Sequence, residues 1–328
     1  MSNRAQPSQD PGSSRGTRTR FNIAAVAKVG KPSAGQTVSQ PSQAAIPASA
    51  PNTLPTAPSL RAVSIDDPDL VPMSLRWQGI LKGDSVLAFP QWFGRRLFSL
   101  VPAALRCKFC NAPFRGRYAG IFGWIGYTPS RKNPNICERC IERAPEGGAL
   151  VPVSVLFADV RGYTSIAERL SSVETTGLLH RFYGAASSAL LAHDAILGQI
   201  AGDEVMAIFV PGLAGSRFPR QAVQAAGALL RGIGYGTTAG SWLEVGVGIC
   251  TGEEYVGNVG GGGFKDFTAI GDVTNTAARL QASARGGEIL MCSATYEAVA
   301  SAYPVAEPGL LQLKGKRSTV QSFRIRIE

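Results

Sequence analysis

Two aspartates in this sequence each lie at the end of an apolar stretch, where they could share a divalent cation. Asp159 follows the run 153–158, which is typical of a buried strand. Asp203 lies at the tip of "QIAGDEVM", where Gly202 permits the positive φ of a tight hairpin turn. If these strands share a sheet, the two carboxylates meet at one end and repel unless a cation lies between them. Mg²⁺ suits such a site, because it takes one or two carboxylates together with substrate phosphates.

The segments around these acids suggest what else the site would bind. "VRGYTS", directly after Asp159, turns on a glycine and opens a helix, whose free N–H groups and dipole suit a phosphate. Asn275 and Arg279 lie four apart on one helix face and could brace a sugar and a phosphoryl group, from the same subunit or a neighbouring one. The ordinary alternatives are a helix N-cap for Asp159, a turn residue for Asp203 and solvated side chains for the other two. Taken together, the residues favour a metal-bound nucleoside triphosphate.

Four of the six cysteines form two C-x-x-C pairs, with 26 residues between the pairs. They are Cys107, Cys110, Cys137 and Cys140. Four thiolates at this spacing predict one tetrahedral Zn²⁺ site, although an iron–sulfur cluster also uses four cysteines, and free structural thiols are the simpler alternative. Arginines and aromatic residues are interleaved in this segment, but a small module needs its aromatics inside, so we do not expect nucleic-acid binding. We expect a regulatory role or a dimer contact for this cysteine module.

The charge and composition limit the class of protein. The net charge of +10 lies in the N-terminal half, because the segment 151–328 carries 14 Lys/Arg against 15 Asp/Glu. No apolar run approaches the ~20 residues that a transmembrane helix needs, and the N-terminal segment has no apolar core of a secretory signal. Paired C-x-x-C motifs favour a reducing compartment over a disulfide framework. We therefore expect a cytoplasmic protein without a transmembrane segment.

Composition and periodicity divide the chain into three parts. Residues 1–60 are rich in Ser, Pro, Ala and Gln and predict a disordered tail. Residues 61–148 hold a linker helix in "FPQWFGRRLFSLVPAAL", which either packs on the next module or contacts a membrane surface, followed by the cysteine module. Residues 149–328 alternate strands and helices, which indicates an α+β domain.

Within the third part, several elements have local signals. "SSVE" at 171–174 predicts a capping box, and Phe182, Ala186 and Leu190 form an apolar helix stripe. "WLEVGVGIC" and "EYVGNVG" predict a second strand pair, followed by a Gly-rich loop. Helices are expected over 216–232 and 272–282, and strands over 288–292 and 320–327.

Five blocks of this third part together resemble the class III nucleotidyl cyclases. They are "FADVRGYTSIAERL", "QIAGDEVMAIF", "GVGICTGEEYVGNVG", "FKDFTAIGDVTNTAARL" and "LKGK", in the order and spacing of that family over residues 151–328. The resemblance implies a ferredoxin-like βαββαβ sandwich that works as a head-to-tail homodimer with sites at the interface. It also implies attack of the ribose 3′-OH on the α-phosphate of ATP or GTP, with release of pyrophosphate and a 3′,5′-cyclic nucleotide.

The resemblance also assigns roles to individual residues. Asp159, Asp203 and the Val160 carbonyl match the ligands of two Mg²⁺ or Mn²⁺ ions, and the backbone of Gly162, Tyr163 and Thr164 matches the triphosphate cradle. Asn275 matches the residue that orients the ribose. Arg279 matches the one that stabilises the α-phosphate from the opposite protomer. Lys316 matches the distal phosphate lysine, although Lys314 competes for that role.

The sequence departs from the family pattern where the base is selected. Adenylate-specific members carry Lys at the position of Gln199 and Asp or Thr at that of Thr268. Thr268 fits a bacterial adenylate subgroup. Gln199 does not fit the lysine rule, since its amide both donates and accepts and so suits either purine. We expect conversion of ATP to cyclic AMP in intracellular signalling. The alternatives are guanylate or mixed specificity, or a non-catalytic nucleotide sensor with a zinc module.

Overall fold

The computed structural model describes residues 71–83, 98, 100, 105–115, 119–261, 264–304, 306–312 and 319–327. All of these residues belong to one compact unit of the chain. The predicted tail at 1–60 and nearly all of the predicted linker helix at 89–105 lie outside the described residues, so both stay predictions. Within the described ranges, no helix has the length and apolar character that a membrane span requires.

The described elements form one group before residue 147 and a second group that begins at Gly147. The first are α1 Val71–Lys82, β1 Leu105–Arg106, β2 Pro113–Arg115, α2 Ala119–Trp124 and a 3₁₀ turn Glu138–Cys140. The later ones are β3 Gly147–Val160, α3 Tyr163–Arg169, α4 Ser172–Ala192, β4 Ile196–Ala201, β5 Glu204–Phe209, α5 Pro211–Ala214, α6 Phe218–Ile233, β6 Val245–Gly261, β7 Phe264–Ile270, α7 Asp272–Ser283, β8 Glu288–Cys292, α8 Ser293–Val299, β9 Glu307–Leu311 and β10 Val320–Arg326.

Strands β3 to β10 form one sheet in the order β4-β5-β3-β6-β8-β10-β9, with β7 paired to the second half of β6. Helices α3 and α4 connect β3 to β4, and α6 connects β5 to β6. In the set β4-β5-β3-β6, neighbouring strands are antiparallel, and the order is that of a ferredoxin-like βαββαβ unit. This confirms the predicted fold class.

The two faces of the sheet carry different layers, because successive side chains of a strand point to opposite faces. Leu156 and Ala158 of β3 face a core that α4 and α6 cover. Val153, Val155 and Phe157 face the other core, which Trp77 of α1, helix α7 and the cysteine module cover. The predicted capping box of α4 is present, since Ser171 Oγ accepts from Glu174 N and Glu174 Oε2 accepts from Ser171 N.

The prediction of a second strand pair in "WLEVGVGIC" and "EYVGNVG" was wrong. Both segments belong to the single strand β6, which pairs with β3 from Val245 to Asn258 and extends into the predicted Gly-rich loop. Glycines are needed there for close packing, because a Cβ on Gly257 would lie 2.2 Å from the Gly147 carbonyl oxygen. Strand β7, which follows, was not predicted and carries Thr268.

Candidate active site

The two predicted acids meet at the end of the central strands. Asp159 pairs in register with Glu204, the first residue of β5, so it lies beside the turn that carries Asp203. The Val160 N–H donates to the Asp203 carbonyl oxygen at 3.3 Å, and the two side-chain carboxyl groups are within hydrogen-bonding reach. Burial, reinforced by the Asp203 carboxyl group, raises the pKa of Asp159 to about 6. Oxygen donors that crowd and repel in this way fit a hard divalent cation.

Asp159 also has a basic and an amide partner from its own chain. Arg161 Nη2 lies 2.6 Å from Asp159 Oδ2, and Gln281 Nε2 donates to the same oxygen at 3.0 Å. Arg161 Nη1 contacts the Gln281 and Ala284 carbonyl oxygens, at the C-terminal end of α7. The strand end and helix α7 are therefore held together at the carboxylate pair.

The turn after Asp159 has the predicted form. Gly162 is the N-cap of α3 and has a φ of 66°, a left-handed conformation that favours glycine. Asp159 is therefore not the helix N-cap, and that simpler explanation is excluded. Tyr163 and Thr164 form the first turn of α3, where backbone N–H groups lack intrahelical acceptors.

The hairpin tip that carries Asp203 is held by helix α4, which lies on the opposite face of the sheet from α7. Gly202 has a φ of 58°, as the turn required. The Tyr183 hydroxyl of α4 donates to the Gly202 carbonyl oxygen, directly before Asp203. Burial raises the pKa of Tyr183, with smaller contributions from Tyr163 and Asp203. Helix α4 thus orients the turn that carries Asp203.

Helix α7, which carries Asn275 and Arg279, is fixed at its start by a buried carboxylate. Glu254 of β6 is 3% exposed and accepts from the Thr274 N–H at 3.0 Å and from the Thr274 hydroxyl at 2.5 Å. Gly271 precedes the helix with a φ of 152°, and a Cβ there would lie 2.6 Å from Glu254 Oε1. A Cβ on Gly248 would meet the Gln281 backbone nitrogen at 2.1 Å, so α7 packs directly onto β6.

Asn275 and Arg279 do not meet the carboxylate pair of their own chain. Asn275 is exposed and Arg279 is half-buried, whereas Gln281, which contacts Asp159, is buried. Arg279 and Gln281 are two residues apart on a helix and so point about 200° apart. Arg279 therefore faces away from the Asp159–Asp203 pair beneath the helix. The four side chains are thus not gathered into one site within a single chain.

The predicted base-selecting residues lie on β4 and β7. Leu197 pairs with Ala207 and Ile200 with Val205, so Gly198 and Gln199 together oppose one residue of β5. This is a β-bulge, and the Gln199 side chain on it is exposed. Thr268 pairs with Gly257 of β6 and is half-buried. Lys316 and Lys314 lie outside the described residues, so their assignment stays a prediction.

The four cysteines of the C-x-x-C pairs converge on one point. Their sulfur atoms all lie within 4.8 Å of one another, with Cys107 and Cys140 at 3.9 Å and Cys110 and Cys137 at 3.5 Å. Four sulfurs at the ~2.3 Å Zn–S distance of a tetrahedral site stand about 3.8 Å apart. Hydrogen bonding with Cys107 is the largest cause that raises the pKa of Cys110. The cluster has the geometry of a mononuclear metal site.

Four residues of the site were not predicted. Arg161 lies inside the first motif block and Gln281 directly follows the fourth, but their contacts with Asp159 depend on tertiary packing. Tyr183 has the weak signal of a polar group beside the apolar stripe of α4. Glu254 is one of two adjacent acids, Glu253 and Glu254, in a largely apolar and glycine-rich strand, and the sequence does not tell which of them is buried.

Several known proteins and one family model are similar to this chain. The family model of the adenylate and guanylate cyclase catalytic domain matches residues 149–326. Adenylate cyclase 1 of Rhizobium meliloti (strain 1021) is 26% identical over 215 residues, which cover 62% of this chain and 32% of that protein. An adenylate cyclase of Anabaena cylindrica is 29% identical over 161 residues, which cover 47% and 32%. The matches thus span about a third of these two relatives. The solved adenylyl cyclase CyaB from P. aeruginosa superimposes with a TM-score of 0.49 at 29% identity, over 55% of this chain and 95% of that one.

The sheet order, the paired aspartates and the family-model match together identify a class III nucleotidyl cyclase domain. The chain belongs to the adenylate and guanylate cyclase catalytic domain family through residues 149–326.

Proposed function

We propose that the protein is an adenylate cyclase that converts ATP to 3′,5′-cyclic AMP and pyrophosphate at two equivalent sites of a homodimer. The observation that carries the proposal is the convergence of Asp159 and Asp203 beside the Gly162 turn. In the reaction, a bond forms between the ribose 3′-oxygen and the α-phosphorus, and the bond to the β-phosphate breaks. The 3′-hydroxyl loses its proton, and pyrophosphate leaves.

The carboxylate side of the site would bind the triphosphate. Asp159, Asp203 and the Val160 carbonyl would hold two Mg²⁺ or Mn²⁺ ions, a donor set of oxygens that suits these cations. Such ions lower the pKa of the attacking hydroxyl and offset phosphate charge. The N–H groups of Gly162, Tyr163 and Thr164 point from the start of α3 and would bind phosphate oxygens.

The second protomer would complete the site from its exposed α7 face. Asn275 would orient the ribose, so that the 3′-oxygen stands in line with the bond that breaks. Arg279, four residues along the same face, would stabilise the charge that develops on the α-phosphate. Since each chain carries both half-sites, a symmetric dimer has two equivalent sites.

The experiment that tests this function is a direct product assay. The purified chain is incubated with ATP or GTP and with Mg²⁺ or Mn²⁺, and cyclic AMP and cyclic GMP are measured. Cyclic AMP formation at a higher kcat/KM than cyclic GMP formation supports the proposal. Preferred GTP use makes the chain a guanylate cyclase. The absence of both products, in a folded and dimeric sample, favours the nucleotide-sensor alternative.

The accessible amide of Gln199 favours one second candidate, guanylate or mixed specificity, because it can pair with either purine. Substitution of Gln199 tests whether this residue selects the base. We expect Gln199→Lys to raise the ATP/GTP ratio of kcat/KM by about tenfold, since a directed charge then reads the adenine edge. The matched control is Ile200→Lys, which adds the same charge one residue along the strand. An unchanged ratio for Gln199→Lys, or an equal shift for Ile200→Lys, would contradict the assignment of Gln199.

We also propose that the cluster of four cysteines binds one Zn²⁺ with a structural role. The short distances among the sulfur atoms support a single ion over an iron–sulfur cluster, which would place iron and sulfide atoms between the thiolates. The contacts of its loops with the sheet support a regulatory or positioning role over nucleic-acid binding. We further propose a cytoplasmic location, in keeping with reduced cysteines.

A further inference from the structure

The cysteine module contacts the catalytic sheet at the two strands that carry the base-selecting positions. Residues 131–133 of the module run along β4, where the Leu197 N–H donates to the Lys132 carbonyl oxygen at 2.9 Å. Beside this contact, Asn133 Nδ2 donates to the Ala195 carbonyl oxygen at 2.7 Å, and Asn133 is fully buried. The module thus lies against the strand that leads into Gln199.

The Lys132 ammonium group joins β4 to β7. Its Nζ lies 2.8 Å from the Gly198 carbonyl oxygen and 2.8 Å from Asp266 Oδ1. The Lys132 side chain is only 15% exposed, so these bonds are screened less than those of a surface ion pair. One side chain of the module therefore bridges two strands that approach each other without pairing in the sheet.

Both contacts of Lys132 are next to a base-selecting position. The Gly198 carbonyl belongs to the peptide bond that leads into Gln199, within the β-bulge. A bulge removes ladder hydrogen bonds, so its backbone orientation depends on other partners, and Lys132 is one. On β7, Asp266 and Thr268 are two residues apart and so project from the same face of the strand.

A second set of bonds holds the β6–β7 hairpin to the same module. Asn258 Nδ2 donates to the Ile141 and Ala144 carbonyl oxygens at 2.6 and 2.9 Å. Lys265 Nζ donates to the Ala144 carbonyl oxygen at 2.6 Å. The segment directly after Cys140 thus anchors β7 to the module, while Lys132 anchors it to β4.

We propose that Lys132 is a positioning residue for base recognition, which sets the spacing between Gln199 and Thr268 and thereby the purine that the site accepts. This inference rests on the proposed function, because it takes those two residues as the base readers. In this arrangement, the cysteine module acts on nucleotide choice through a direct strand contact. The ribose and phosphate groups, which bind at α7 and at the carboxylate pair, are unaffected.

The test compares three lysine variants of the 328-residue chain with ATP and GTP. Lys132→Met is expected to raise KM for the preferred nucleotide about tenfold and to move the ATP/GTP ratio of kcat/KM towards one, with kcat within about twofold of wild type. Lys132→Arg keeps the charge and is expected to restore most of the ratio. Lys108→Met is the matched control, because Lys108 also belongs to the module but pairs with Asp194, before β4, at 2.5 Å.

Three results would overturn the inference: an unchanged KM and ratio in folded Lys132→Met, an equal change in Lys108→Met, or no rescue by Lys132→Arg. If Lys132→Met does not fold, Asp266→Asn tests the inference instead. This variant removes only the charge on β7 and is expected to shift the ATP/GTP ratio of kcat/KM in the same direction. If the wild type forms no cyclic product, the proposed function fails, and the affinity ratio for 3′-deoxy-ATP and 3′-deoxy-GTP tests Lys132 instead. A wild type that binds neither analogue overturns both proposals.

Discussion

A mixture of Asp203→Ala and Arg279→Ala chains is expected to recover about a quarter of wild-type cyclase activity, although each variant alone is nearly inactive. Asp203 would hold metal at one half-site, and Arg279 would stabilise the α-phosphate at the other. Loss of such a charge-stabilising group costs about 10²–10³-fold in rate. In an equal mixture, about half of the dimers are mixed, and each mixed dimer has one intact site of two.

The structural reason is the orientation of α7. The helix buries Gln281 against Asp159 of its own chain, so Arg279 on its other side points away from that carboxylate pair. In the proposed dimer, each chain would therefore contribute its Asp159–Asp203 pair and its Asn275–Arg279 pair to different sites. Two defective chains can restore one intact site only if these two pairs belong to different sites.

The matched control for complementation is a mixture of Asp203→Ala and Asp159→Ala chains. Both changes damage the same half-site, so every site in every dimer lacks one carboxylate and no activity should return. Activity is measured as cyclic nucleotide formed over a range of mixing ratios, and differently tagged chains verify that mixed dimers form. No recovery in verified mixed dimers, or equal recovery in the control mixture, would contradict shared sites.

The carboxylate pair could be predicted because its signals are local. An apolar run that ends on an acid, and a glycine before the second acid, indicate where two strands end. Their meeting required one further assumption, that the strands share a sheet, and the β3–β5 register bears it out. The family blocks supplied the rest of the fold, since five linked motifs restrict the order of the elements.

The interior of β6 could not be predicted for a physical reason. Its glycines are typical of turns, yet they stand in a strand of 17 residues. Gly248 admits the backbone of α7, and Gly257 admits the neighbouring strand β3, so their small size serves close approach and not chain reversal. A single sequence does not distinguish these two uses of glycine. The contacts of Arg161 and Lys132 could not be predicted either, because they join residues that are far apart in the sequence.

Removal of one cysteine from the four-cysteine cluster is expected to abolish metal binding and to lower the melting temperature. Cys137 is fully buried, its sulfur lies 3.5 Å from that of Cys110, and its N–H donates to Cys107 Sγ at 3.3 Å. Cys137→Ser should lower the metal content from about one zinc per chain to nearly none, since three thiolates do not complete a tetrahedral structural site. Metal binding stabilises the fold of so small a module, so the melting temperature should fall as well.

The control for this prediction is Cys292→Ser, which changes a buried cysteine outside the cluster. Cys292 Sγ lies 3.3 Å from the Thr295 hydroxyl, a contact that serine can keep, so metal content should stay at the wild-type level. Elemental analysis measures the metal, and visible absorption tests for iron, because a colourless zinc protein and a coloured iron–sulfur protein differ there. Unchanged metal in Cys137→Ser, or equal loss in Cys292→Ser, would contradict the site. Because the module contacts β4 and β7 through Lys132, and accepts a hydrogen bond from Asn258 of β6, loss of the metal should also weaken base discrimination.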